Sequence, residues 1–148
     1  MREDLLYFIW RHNKLPKIGL RTTNGTSVAI KATGIQNHLA GPDFFDARVE
    51  IDGQLWAGNV EMHLKSSDWY VHHHESDENY DNVILHVVWE DDIAVFRKDG
   101  SQIPTMEVRQ YVSDELLDRT NAVKRHTKKV VAAATETSVT INCQLKFT

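Results

Sequence analysis

The sequence predicts an α/β (α+β) fold in the order helix, three strands, short helix, central strand and extra C-terminal strands. Three observations carry this. Glu3 to Asn13 repeats apolar side chains at helical spacing. Two alternating stretches meet at Asp52-Gly53, a strong two-residue hairpin signal. Asn82 to Glu90 (NVILHVVWE) is almost continuously apolar, as suits a strand covered on both faces.

In the first helix Leu5, Leu6, Ile9 and Trp10 form the apolar stripe, and Lys14 to Lys17, with Pro16, ends it. Thr23-Asn24-Gly25-Thr26 reads as a turn and Ser27 to Lys31 as the first strand. A polar connection through Gly34 and Asn37 leads to Gly41-Pro42. Asp43 to Ile51 is the second strand, with Phe45, Ala47, Val49 and Ile51 on one face. The third runs from Gln54 to Lys65, with Trp56, Val60, Met62 and Leu64 on one face and Asn59, Glu61, His63 and Lys65 on the other. Ser66-Ser67-Asp68 offers caps for a short helix from about Trp69 to His74. After the central strand, Ile93 to Arg97 and Thr105 to Val108 read as strands separated by Asp99-Gly100. Ser113-Asp114-Glu115 opens a last helix through about Lys129, and residues 132–148 read as a weakly structured tail.

The chain has 148 residues, which suits one domain with a modest core. A single cysteine, Cys143, excludes a disulfide framework and any multi-cysteine zinc site. The N-terminal apolar run is too short to cross a bilayer, so a cytoplasmic protein without a membrane partner is expected. The net charge of −4 supplies no general attraction to nucleic acid. Basic residues do gather late, at Arg119, Lys124, Arg125, Lys128 and Lys129.

The residues that carry chemistry are Pro42-Asp43 at a strand start and Glu61-Met62-His63 inside the returning strand. Two carboxylates on rigid backbone are what a hard divalent metal needs, and a nearby base prepares water for attack. Glu61, His63 and Lys65 project to one side, and the Met62 carbonyl offers a third oxygen to a metal held by Asp43 and Glu61. Whether Asp43 joins them is a matter of register. A plain two-residue turn places Phe44 opposite Glu61 and Asp46 opposite Asn59, with Asp43 on the wrong face. A one-residue slip, from a bulge or a longer turn, pairs Asp43 with His63 and Phe45 with Glu61, so that Asp43, Glu61 and His63 share a face. The site therefore requires such an irregularity. The plain alternative is a turn leading into the strand and a solvated row of charges.

Five of the eight histidines (His63, His72, His73, His74 and His86) lie between positions 63 and 86. Imidazoles suit zinc, so two or three of His63, His72, His74 and His86 form a second candidate metal set, although no HExxH spacing exists. The simpler reading makes His86 a buried neutral histidine bonded to a neighbour, and His72 to His74 a polar helix end. His72 and His74, with Asn37, are also candidate phosphate or substrate contacts. Trp56, Trp69 and Trp89 are expected in core or lid packing.

Through the segments EDLLYFIW, GPDFFDARVEIDGQLWAGNVEMHLKSSDWYVHHH, YDNVILHVVWEDD and IPTMEV, the chain resembles an uncharacterised family best represented in Bacteroidetes, domain of unknown function 2851. The resemblance covers roughly residues 1–120. Members of that family are longer, which implies a truncated or aberrant tail over 121–148. More distantly, the element order and the Pro-Asp…Glu-x-His pattern resemble the PD-(D/E)XK phosphodiesterases, which include restriction-endonuclease-like nucleases. That resemblance implies a restriction-endonuclease-like αβββαβ core with a mixed sheet flanked by helices, and Mg²⁺- or Mn²⁺-dependent cleavage of nucleic acid. Carried over, Asp43 and Glu61 are the metal-binding acids, His63 stands where lysine is usual, and Glu3 matches a helix-one acid. Lys65 would supply the missing charge. Three readings result: a metal-dependent nuclease-like hydrolase, a non-catalytic binding or assembly module on the same fold, and a histidine-ligated zinc hydrolase.

Overall fold

The computed structural model describes residues 1–145. It divides into two compact units, one ending at Val112 and a second beginning at Ser113. The first unit holds helices α1 (Glu3–Arg11) and α2 (Asp68–Val71). Its strands are β1 (Leu20–Arg21), β2 (Ser27–Ala32), β3 (Ile35–Gln36), β4 (Phe44–Ile51), β5 (Gln54–Lys65), β6 (Val83–Glu90) and β7 (Thr105–Glu107). The strands form one mixed sheet in the order β1-β2-β4-β5-β6-β7, with the short β3 also paired to β4. The pairs from β1 to β5 are antiparallel. β6 is parallel to β5, and β7 to β6. This is an α+β fold with a mixed sheet flanked by helices.

Alternation along the strands decides which helix covers which face. Leu5, Leu6, Ile9 and Trp10 are all buried, and the Trp10 ring meets Phe44 edge-on at 6.5 Å. Phe44 pairs with Val60, so α1 covers the face that also buries Val60 and Met62. The opposite face presents Glu61, His63 and His86 to α2 and the turns after it, where Trp69 packs with Tyr80, Val83, Val95 and Ile103. All six residues from Val83 to Val88 are buried, as a central strand requires.

Several sequence expectations are corrected. Phe44, fully buried, takes the inward place expected of Phe45, which is exposed. Trp56 is half-exposed on the hairpin rather than core. Ile93 to Arg97 is not a strand; only Phe96 makes an isolated bridge, to Gln102. Two of its backbone N–H groups go to side chains instead: Ile93 N donates to Ser66 Oγ and Phe96 N to Tyr70 Oη. The serines before α2 do not cap it with their side chains. Asp92 accepts hydrogen bonds from Ser66 Oγ, Ser67 N and Ser67 Oγ, tying the α2 entrance to the end of β6.

The second unit is α3 (Asp114–Leu145), with Ser113 Oγ accepting from Leu116 N at its start. The helix continues past Lys129 through most of the stretch expected to be weakly structured; residues 146–148 lie outside the described residues.

Candidate functional site

The hairpin between β4 and β5 begins as the sequence suggests. Ile51 pairs with Gln54 across Asp52-Gly53, and the register holds as far as Ala47 opposite Gly58. It then shifts, so that Phe44 pairs with Val60. Two residues of β4, Phe45 and Asp46, oppose Asn59 alone: this is a bulge, but its slip runs the other way from the expected pairing of Asp43 with His63 and sets Asp43 level with Glu61. Asp46 takes the left-handed conformation at φ 55°, which aspartate tolerates better than most residues. Asp46 therefore belongs to the bulge, with its N–H directed at Asn59 Oδ1 3.4 Å away.

Beyond Phe44 the ladder stops, because Pro42 has no N–H to continue it. Asp43 fills the gap with its side chain, and Asp43 Oδ2 accepts from Met62 N at 2.8 Å. Ladder N–H groups lie in the plane of the sheet. The carboxylate is thus reached from both faces, by Tyr7 of α1, whose hydroxyl lies 3.1 Å from Asp43 Oδ1, and by Glu61. The Tyr7 hydroxyl also meets Glu3 Oε1 at 2.6 Å, which links the helix-one acid to the site. Glu3 and Tyr7 lie one helical turn apart, so their pairing was open to a sequence reading; the reach of Tyr7 to Asp43 was not. Met62 enters through its backbone, its side chain being buried on the α1 face.

Glu61 and His63 are 4% and 2% exposed, which overturns the solvated row for both. Lys65, the next residue on that side, is exposed. α2 ends at Val71, earlier than the sequence suggests, and His73 turns in the left-handed region at φ 59°. That turn sends His72 and His74 back toward β5. His72 remains exposed, while His74 is nearly buried and stacks on Tyr80 with ring centroids 3.7 Å apart. The polar helix end is therefore half right.

The imidazoles form a connected group. His63 Nδ1 lies 2.8 Å from His86 Nε2, and His63 Nε2 lies 3.3 Å from His72 Nδ1. His63 and His74 stack at 5.3 Å. Glu61 Oε1 is 3.7 Å from His63 Nε2 and 3.8 Å from His74 Nε2. His63, His72 and His74 each bring a nitrogen within 4.8 Å of the other two, so these three could hold a metal ion. His86 is the buried, neighbour-bonded histidine that the simpler reading described.

Burial sets the charge states. It pushes Glu61 up to about 10, with the adjacent Asp43 carboxylate adding to the effect. Burial also raises Asp43, against the neighbouring Glu61 carboxyl and the hydrogen bonds from Met62 N–H and Tyr7, which lower it. Without a cation Glu61 thus keeps its proton at neutral pH. Burial and neighbouring imidazoles lower His63 to about 2, His86 to about 3 and His74 to about 4. Contacts between Glu61 and the histidines are therefore between neutral groups, not ion pairs. Glu61 Oε2 and His86 Nδ1 are buried without a hydrogen-bond partner.

Asn37 is not brought to this group. Its amide nitrogen donates to the carbonyls of Leu39, Ala40 and Pro42, and its oxygen accepts from Leu39 N, so the side chain is engaged in shaping the loop before Asp43.

A family model described as "Protein of unknown function (DUF2851)" matches residues 3–146. The chain belongs to this family. The DUF2851 match runs past residue 120 and takes in α3. No curated protein and no solved structure matches this DUF2851 chain. Among its described residues no helix is long and apolar enough to cross a membrane.

Proposed function

We propose that the chain is a divalent-metal-dependent phosphodiesterase acting on nucleic acid. The observation that carries this reading is the bulge at Phe45-Asp46, which sets the Asp43 carboxylate beside Glu61 at the buried end of β5. The order of elements supports it too. A helix, antiparallel β2, β4 and β5, then α2 and a parallel β6 follow the order expected of a restriction-endonuclease-like core.

The carboxyls suit a cation. Glu61 has a buried oxygen without a partner, and it would release its proton to an ion of double charge. Asp43 and Glu61, with the Met62 carbonyl, would hold Mg²⁺ or Mn²⁺. Such an ion, when bound, neutralises charge developing at phosphorus and lowers the pKa of its water. The chain's own residues do the rest. Tyr7 and the Met62 N–H orient Asp43. His63 and His74 each offer a neutral lone pair, to a proton or to a cation, and His72 brings a third ring nitrogen close to them. Lys65 and His72, both exposed, would contact the phosphate in this reading.

The test is cleavage of plasmid DNA and of RNA by the full chain with Mg²⁺ or Mn²⁺, with chelator, and with Glu61→Ala. Nicking that needs the metal and disappears in the variant is expected. Cleavage that survives either treatment rejects the reading. A binding or assembly module is the second reading, favoured by the net charge of −4. It expects no cleavage and no effect of metal on Tm.

A further inference from the structure

Mg²⁺ asks for a near-octahedral shell of oxygens and keeps several of its waters. The densest group of donors at this site is of another kind. Three imidazoles from two elements, His63 on β5 and His72 and His74 on the turn after α2, converge within 4.8 Å. Nitrogen donors select zinc and its neighbours over magnesium. We propose that His63, His72 and His74, with Glu61 at the fourth corner, form a binding site for a zinc-class transition-metal ion. This deepens the proposed activity and rests on that reading for what the bound ion is used for.

The spacing is close to what such an ion needs. Donors around a tetrahedral ion at about 2.0–2.1 Å stand about 3.3 Å from one another. His63 Nε2 and His72 Nδ1 are 3.3 Å apart. Glu61 Oε1, at 3.7 Å from His63 and 3.8 Å from His74, needs only a small inward movement. The second layer is present as well. A ligating histidine donates its other N–H to a fixed acceptor, which sets the tautomer. His86 Nε2, 2.8 Å from His63 Nδ1 and fully buried, is that acceptor. His63 Nε2 is then left with its lone pair directed at His72. The proton of His86 rests on Nδ1, the atom that has no partner. His86 is thus a positioning residue, and the exposed His72 gives the ion a way in from solvent.

The test is calorimetric titration of the chelator-treated full chain with zinc chloride and, separately, magnesium chloride. One equivalent of zinc is expected, bound far more tightly than magnesium. His72→Ala, on an exposed turn, is expected to fold as the parent does and to weaken zinc by more than about 10-fold; His86→Ala should weaken it by about 10- to 100-fold. His12→Ala, an exposed histidine just past α1 and outside the cluster, should leave binding unchanged. Visible absorption of the cobalt-loaded chain, with the intensity of a four-coordinate ion, should vanish in His74→Gln. Zinc that fails to bind, or binds equally well to His72→Ala, overturns the inference while magnesium-dependent cleavage can still stand. Zinc bound as described, with no cleavage under any metal, keeps the site and removes the phosphodiesterase.

Discussion

Replacing Glu61 by glutamine tests the electrostatics of the buried carboxyl pair without involving catalysis. Glu61 has an ordinary value of 4.5 and is pushed up to about 10 in the fold. Between those limits the metal-free native chain holds a proton that the unfolded chain has released. The unfolded state then binds fewer protons, so stability falls as pH rises, by about 1.4 kcal/mol per pH unit. Glu61 is almost wholly buried, so solvent screens little of this. The histidines act oppositely but only below their ordinary value of 6.5, which leaves pH 7 to 9 to the carboxyl. Over that window the parent should lose about 3 kcal/mol, while Glu61→Gln, which mimics the protonated acid, should stay level. The assay is urea unfolding in chelator at pH 7, 8 and 9, followed by tryptophan fluorescence. Parallel profiles for the two proteins would refute the proton held on Glu61 and with it the juxtaposition of Asp43 and Glu61.

On the acid side, His63, His74 and His86 are neutral in the fold and protonated in the unfolded chain below about pH 6.5. Metal-free stability should therefore drop from pH 6.5 to 5, by up to about 1.4 kcal/mol per pH unit for each, and the drop should shrink in His74→Gln in the same unfolding assay. A methyl at Gly34 would come within 2.5 Å of the Phe45 carbonyl oxygen and 3.0 Å of Ala47 N, at a φ of +86°. Gly34→Ala should cost about 2–4 kcal/mol by thermal unfolding and should also abolish cleavage, since those atoms form the bulge. At Gly58, where a methyl would come within 2.5 Å of the Ile84 side chain and 2.8 Å of Asn82 O, alanine should cost about 1–3 kcal/mol while the bulge is kept. Lys65→Ala should raise KM for nucleic acid and change stability by less than about 0.5 kcal/mol, as its side chain is exposed.

Periodicity made α1 readable, the Asp52-Gly53 pair the hairpin turn, and an almost unbroken apolar run β6. β1 and β3, at two residues each, have no period to read. Ile93 to Arg97 alternates like a strand, but Ser66 and Tyr70 reach two of its N–H groups first, a competition between distant side chains that no local pattern reveals. The need for an irregularity near Asp43 followed from strand geometry alone. Its position did not: the turn is the plain two-residue one, and the slip occurs later, at Asp46. It runs opposite to the pairing of Asp43 with His63 that a longer turn would give, and brings Asp43 level with Glu61. His72 and His74 could be singled out by clustering, whereas their return to β5 depends on the left-handed His73, a conformation that spacing does not specify.

The link between His63 and His86 has a consequence for how such sequences diverge. Glu61, His63 and His86 occupy neighbouring positions on paired strands, and each is wrapped by the others and by core side chains. Replacing one alone strands a polar partner away from water, a penalty of about 1–3 kcal/mol; replacing all three by apolar residues of like size leaves nothing stranded. Relatives that abandon the chemistry should therefore have changed these positions as a set, and relatives that keep one should keep all. The three columns form a single character, to be scored together when the family's sequences are sorted into those that retain the site and those that have dismantled it.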